Sequence, residues 1–388
     1  SASNNSIIGN SMTGNSYGVN LESSLNNSIV GNSITNNLLG IRLDSSSNNS
    51  ISANSIIANS WRGIFIDNSS NHNGIVGNNI TSSEFGIVIY SSFDNSICET
   101  NLTANSARGV FLFLSSSNRI SRSNVTGSLE GIGLYRCSSN SISANVIAVN
   151  AEHGIMLYDS SRNSLVGNTI RNNAHGMRLN SSSNNILYHN NFVYNGIQVS
   201  LKESFFNEWD YGYPSGGNYW SDYTVADLYS GNYQNETGSD GIGDRPYVIG
   251  EYDSVEPVVE DRYPIVAPSD AFNVGNWNSE QRQIHVVSNS TVSNFQLNEA
   301  DKIIGFNVIG ETGLGFCRVT IPNVIVQDLW QDNYTVLVDN ALPLDIREWR
   351  DMENTYIYFT YQHSEHEVKM IPEFSLVAVL LLFMTISG

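Results

Sequence analysis

Asn27-Ser28-Ile29-Val30-Gly31-Asn32-Ser33-Ile34-Thr35-Asn36-Asn37, followed by Gly40-Ile41-Arg42-Leu43 and a serine-rich turn, is one copy of a unit of about 22 residues that fills residues 5–199. The opening asparagine recurs at Asn5, Asn27, Asn49, Asn73, Asn95, Asn118, Asn140, Asn163 and Asn184, so nine copies follow one another at a period of 21 to 24 residues. Self-similarity at such a period marks a solenoid, because one unit cannot bury its own apolar face and must stack on the next. Four apolar positions stay in phase, Ile29, Ile34, Ile41 and Leu43 in one copy and Ile97, Leu102, Val110 and Leu112 in another. Ile-x-Leu alternation sends every second side chain to one face, and no 3.6-residue stripe is present, so these are short strands. Asn, Ser and Gly between them make tight turns, and three turns per copy predict a right-handed parallel β-helix.

Stacking turns phase into proximity. Ile29, Ile51, Ile75 and Ile97 are expected in one internal column, with Asn27, Asn49, Asn73 and Asn95 in a neighbouring amide ladder at the strand spacing of about 4.8 Å. Asn10, Asn32, Asn54, Asn78, Asn145 and Asn168 make a second ladder. A glycine at Gly18, Gly40, Gly63, Gly86, Gly109, Gly131, Gly154 and Gly176 is read as a corner with positive φ.

Charge divides the chain. Residues 1–200 hold nine acids and nine arginines, so the formal charge of −19 arises after the repeats. Such a balance argues against nucleic acid as a partner, since phosphate binding needs clustered cations. Cys98, Cys137 and Cys317 form no disulfide framework. Asn-x-Ser/Thr acceptors at Asn79, Asn101, Asn124, Asn235, Asn289 and Asn333 fit an extracellular, cell-surface glycoprotein. An open first rung exposes unpaired backbone, which a cap, a partner or self-association would cover.

Two phases of the rung carry chemistry. After the last strand come Glu22, Asp44 and Asp67, whose like charges need a cation or raised pKa values if desolvated, and then Tyr90, Phe113, Tyr135 and Tyr158, rings suited to a sugar platform. Just before the corner glycine, Arg108, Glu130, His153 and His175 offer a cation, a carboxylate and two imidazoles for acid–base catalysis. Met156 and Met177 lie close in sequence, so soft copper ligation is a further expectation. There is no phosphate loop, serine nucleophile elbow or zinc-type cysteine pattern, and the absence of Lys from the rungs weakens a lyase reading.

Residues 205–268 replace the repeat with aromatic, Gly and Asp residues and read as a capping module that closes the last rung. Here stand Gly217-Asn218-Tyr219-Trp220-Ser221-Asp222-Tyr223, Asp240-Gly241-Ile242-Gly243-Asp244-Arg245-Pro246-Tyr247 and Asp261-Arg262-Tyr263-Pro264-Ile265. With the rungs at 1–204, this module resembles the NosD-type β-helix proteins, within a broader group of repeats shared with carbohydrate-binding and sugar-hydrolysing proteins. The resemblance implies a surface or periplasmic protein and, through the factor that names the family, a link to copper-site maturation. The Asp/Gly alternation at Asp240–Asp244, with Asp222 or Asp227 outside it, is a candidate Ca²⁺ loop.

Seven apolar runs between Gln283 and Met370 predict an antiparallel β-sandwich over 269–370, and Gly315–Pro322 resembles C-terminal sandwich domains of archaeal surface proteins. Ile371-Pro372-Glu373-Phe374 opens an uncharged apolar segment to Gly388 that resembles archaeal sorting signals and implies a membrane anchor. The functional expectation is a non-catalytic surface protein with glycans or neighbouring surface proteins as partners. The alternatives are a polysaccharide hydrolase or lyase and a copper-handling accessory protein.

Overall fold

The computed structural model describes residues 2–250 and 258–373. Its first unit comprises residues 1–212, 216–224 and 245–264 and is a parallel β-helix. Three sheets run along the stack. The first holds nine three-residue strands, from Ser6–Ile8 to Ile186–Tyr188, and the third nine six-residue strands, from Tyr17–Glu22 to Ile197–Lys202. The second begins at Ser11–Thr13 and takes Tyr219–Trp220 as its tenth, closing strand after Asn191–Val193. Ile29, Ile51, Ile75 and Ile97 pair rung to rung and are fully buried, as their phase requires.

The amide ladders follow from hydrogen-bond saturation. Asn118 Oδ1 accepts from the Asn95 backbone N–H at 2.9 Å and from Asn95 Nδ2 at 3.1 Å, while its own Nδ2 donates to the Ser92 and Ser116 carbonyls and to Asn140 Oδ1. Both amide functions are consumed with no water needed, so hydrogen bonds offset the cost of desolvating a polar column in the interior. The ladder passes through Asn185, not Asn184: Asn163 donates to Asn185 Oδ1, and Asn184 lies in the preceding turn at φ 56°. A third ladder, unread in the sequence, runs through Asn15, Asn37 and Asn59 and resumes at Asn150, Asn173 and Asn195. Serines form a fourth column, in which Cys137 takes one place.

The corner glycines correct the expectation of positive φ. None of the eight adopts it; each instead faces the interior where there is no room. A Cβ on Gly109 would lie 2.3 Å from the Val125 side chain and 2.8 Å from the Gly131 carbonyl oxygen. Left-handed backbone falls elsewhere, at Gly31, Gly77 and Gly167 and at many Asn and Ser turn residues. Because the chain bends at the corner glycine, the residues on both sides of it depart from strict alternation. Arg108 and Glu130, each one residue before a corner glycine, accordingly meet Tyr135 on the outer face of the sheet.

The last rung is covered by rings of the same unit. Phe192 stacks on Trp220 at 4.4 Å and Trp220 on Tyr247 at 4.2 Å. Asp261, fully buried, accepts hydrogen bonds from the Asn218 and Tyr263 backbone N–H groups and from Trp220 Nε1.

The second unit comprises residues 213–215, 225–244 and 265–388. Its described part is an antiparallel, sandwich-like pair of sheets, one of five strands and one of four. All seven predicted runs are strands, joined by Ser269–Trp277 and Asp345–Arg350. The stretch between the fourth and fifth runs, expected as a turn, holds a helix, Asn323–Trp330, whose Ile325, Val326, Leu329 and Trp330 share one buried face. The 205–268 segment is thus divided between the two units, and Ile371 and Pro372 complete the strand Glu365–Pro372. The proposed anchor from Phe374 onward lies outside the described residues. Among those described, no helix is long and apolar enough to cross a membrane.

Candidate functional site

The outward turn at the corner places three columns on the outer face of the third sheet. One is Arg62, Phe85, Arg108, Glu130, His153 and His175; the next is Phe65, Val88, Phe111, Gly133, Met156 and Arg178; the last is Asp67, Tyr90, Phe113, Tyr135, Tyr158 and Asn180. The acid–base phase and the aromatic phase, separate in the sequence reading, are two edges of a single face.

Glycine joins them. Gly133 leaves the middle column without a side chain, and a Cβ there would stand 3.2 Å from both Glu130 Oε2 and the Tyr135 ring. Through that notch Arg108 Nε donates to Glu130 Oε2 at 2.5 Å, Arg108 Nη2 donates to the Tyr135 hydroxyl at 3.2 Å, and that hydroxyl donates to Glu130 Oε1 at 3.1 Å. Burial is the largest influence and opposes charge on Arg108, but the hydrogen bond and charge of Glu130, with Tyr135, together outweigh it and hold the guanidinium above its ordinary pKa. Burial pushes the Tyr135 phenol up. The Arg108 guanidinium also lies 4.5 Å from the Phe111 ring centre and 5.0 Å from that of Tyr135. Gly133 and Phe111 were not singled out in the sequence, although their shared phase was legible there.

Beyond Glu130 the same column continues into the histidines. The His153 and His175 rings lie 5.3 Å apart, and the buried Nδ1 atoms of both lack a hydrogen-bond partner. His153 Nδ1 stands 3.9 Å from Glu130 Oε1 and 3.9 Å from Glu152 Oε2. Burial, reinforced by His175 and Arg178 and opposed by Glu130, depresses the His153 pKa.

At the other end, the acidic phase is closed by a neighbour. Arg42 donates to Asp44 Oδ2 at 2.7 Å and to Asp67 Oδ2 at 3.2 Å, with Glu22 at 3.9 Å. The cation that Glu22, Asp44 and Asp67 call for is the chain's own. Asn68, chiefly, and Arg42 hold the Asp44 carboxyl below its ordinary range, whereas burial raises that of Asp67. Between these ends the rings make a continuous strip: Tyr90 stacks on Phe113 at 5.5 Å, Phe111 meets Tyr135 edge-on at 5.3 Å, and Tyr135 stacks on Tyr158 at 5.6 Å. Tyr90 and Tyr158 are each about 40% exposed, at 40% and 41%.

The candidate Ca²⁺ ligands are dispersed. Asp222 belongs to the first unit and accepts from Tyr247 and Gln198. In the second unit, Asp227 accepts from the Asp240 and Gly241 N–H groups, Asp240 from that of Ile242, and Asp244 from those of Leu228 and Tyr229. These carboxylates hold a loop together through N–H donors. Desolvation, reinforced by Asp240, lifts the Asp227 carboxyl to about 7. Asn79, Asn101, Asn124, Asn235, Asn289 and Asn333 are all exposed.

A family model described as "Periplasmic copper-binding protein (NosD)" matches residues 1–99 and 63–225, more than half of the 388. The chain belongs to the NosD family. A search of curated proteins found no match. Among solved structures, the periplasmic alginate epimerase AlgG is similar at 19% identity and a TM-score of 0.46, over 48% of this chain and 49% of that one. The A-module of the Azotobacter vinelandii mannuronan C-5 epimerase AlgE6 gives 17% and 0.41, over 47% and 58%; an alginate lyase from a Paenibacillus species gives 14% and 0.39, over 53% and 75%. This NosD-family chain thus spans about half the length of the alginate epimerases it resembles, and at such identity the likeness is one of fold.

The family description names copper, and the donors on the outer face bear on it. Met177 is turned into the core, fully buried, while Met156 stands in the middle column of the outer face. Imidazole with carboxylate is assembled, a donor set that suits Cu²⁺ or Zn²⁺ better than Cu⁺. His153, Glu130 and Glu152 would hold such an ion, and the orphaned Nδ1 of His153 is the observation that fits it.

Proposed function

We propose that this NosD-family chain is a non-catalytic glycan-binding protein of the periplasm or cell surface, and that the outer face of its third sheet is the binding wall. The observation that carries this reading is the ring strip Tyr90, Phe111, Phe113, Tyr135 and Tyr158, one or two rings per rung along four consecutive rungs. A linear polysaccharide lying along the axis meets apolar ring surface with its C–H faces, and Tyr hydroxyls at the rim with its own hydroxyls. Arg108, turned toward the same strip, supplies a charge-assisted donor for a sugar carboxylate or hydroxyl.

The test is a glycan array followed by affinity electrophoresis in neutral and acidic polysaccharides. Wild type is expected to be retarded by at least one, and Phe111→Ala and Tyr90→Ala to lose that retardation while unfolding at the wild-type temperature. Retention unchanged in both variants would overturn the assignment of the face. Bound polysaccharide that is shortened, or that gains unsaturated ends, would replace the non-catalytic reading with an enzyme at the same wall.

A further inference from the structure

We infer that Glu130, Glu152 and His153 form a binding site for one borderline divalent cation, of the Zn²⁺ or Cu²⁺ kind, at the edge of the third sheet. The inference does not depend on glycan binding.

Among the described residues, these are the only three His, Cys, Asp or Glu side chains whose donor atoms all lie within 4.8 Å of one another. Proximity of acids alone is common; the histidine is what sets this group apart. His153 is 8% exposed, and its Nδ1 is buried, without a hydrogen-bond partner, and 3.9 Å from a carboxylate oxygen on either side. A buried ring nitrogen left unpaired is a cost to the fold, and a cation placed between it and the two oxygens removes that cost. Ligand bonds of about 2.1 Å set tetrahedral donors about 3.4 Å apart, so separations of 3.9 Å need only a small rotation of Glu152, which is exposed.

The surroundings prepare the ligands. Arg108 engages Glu130 through Oε2, leaving Oε1 toward His153, and Tyr135 further fixes the carboxylate plane. Such outer partners orient metal ligands and hold them ready. The ring of His175, whose Nδ1 is also buried and unpaired, lies 5.3 Å from that of His153. Two carboxylates and one imidazole are too few oxygens to hold Ca²⁺, which wants six to eight.

Isothermal titration of the full chain with ZnSO₄ alone, and separately CuSO₄ alone, tests the site. One ion per chain is expected, unaffected by millimolar Ca²⁺. Glu152→Gln should weaken affinity at least tenfold and His153→Gln at least a hundredfold, while His72→Ala, remote from the site, changes neither. Cu²⁺ electron paramagnetic resonance should show nitrogen coupling that His153→Gln removes or reduces. Since Glu152 is exposed, its variant keeps the fold, which circular dichroism checks. Undiminished one-to-one binding in Glu152→Gln and His153→Gln, or no stoichiometric binding to wild type, overturns the assignment.

Discussion

Replacing Asn118 with alanine isolates what an amide ladder contributes. Asn118 is 1% exposed, and its loss removes the acceptor of the Asn95 backbone N–H and of one Asn95 amide hydrogen, together with the donor to the Ser92 carbonyl. Each orphaned buried group costs about 1–2 kcal/mol, so the three together predict a destabilisation of about 3–6 kcal/mol. The comparison variant is Asn101→Ala, whose amide makes ladder bonds of similar length to Asn79 and Asn124 on the exposed face; there water replaces the partner and the change should stay within about 0.5 kcal/mol. Asn118→Ser should fall between, because the second ladder already uses Ser123 Oγ to accept from the Thr100 N–H. Urea unfolding gives the three differences, and hydrogen exchange at the Asn95 amide reports whether the loss is local. If Asn118→Ala and Asn101→Ala cost the same and the Asn95 amide stays protected, the ladder is geometric coincidence and not a source of stability.

Gly86→Ala places a Cβ 2.5 Å from the Gly109 carbonyl oxygen and 2.8 Å from the Leu102 side chain; it should cost about 3 kcal/mol in urea, against little for Gly74→Ala, where nothing lies within 4 Å. Gly133→Ala adds a Cβ 3.2 Å from Glu130 Oε2 and the Tyr135 ring and 3.4 Å from Arg108 Nε, so its stability should change by less than about 1 kcal/mol while calorimetric affinity for polysaccharide falls; unaltered binding would separate the notch from the wall. Burial lifts the Asp261 carboxyl to about 7 from an ordinary 3.8. Between those values the folded state keeps a proton that the unfolded state has lost, so stability should fall as pH rises from 5 to 7, by up to about 1.4 kcal/mol per unit. Asp261→Asn should flatten that slope in urea midpoints taken at each pH, and parallel profiles for the two proteins would refute the assignment.

What was legible in the sequence was whatever the repeat wrote more than once. The isoleucine columns and the first two ladders came from phase alone, and phase also found Arg108, Glu130 and His153 as neighbours. The corner glycines were seen for the wrong reason: repetition shows that a side chain is forbidden at Gly109, not whether backbone angle or a facing Val125 forbids it. That bend also hid the union of the two phases, since strict alternation sends Arg108 and Phe113 to opposite faces. Glu152 escaped notice because it lies one residue before the chemical phase, outside the strand. In the segment after Phe205 nothing repeats, so its acids could only be read as a composition, and Asp222 was grouped with Asp240 although the two belong to different units.

The ladders make every coil interchangeable at its seams. Each presents the same acceptors to the coil before it and the same donors to the coil after it, whether its length is 22, 23 or 24 residues. Excising a whole coil restores those seams, whereas deleting one residue within a strand puts that coil's own later positions out of register with its neighbours. The unit of evolutionary editing is therefore the coil, and editing rewrites the outer face without touching the core. Loss of the coil bearing Arg108 would set Phe85 directly against Glu130, abolishing the ion pair and moving the aromatic strip up to the histidines in a single event.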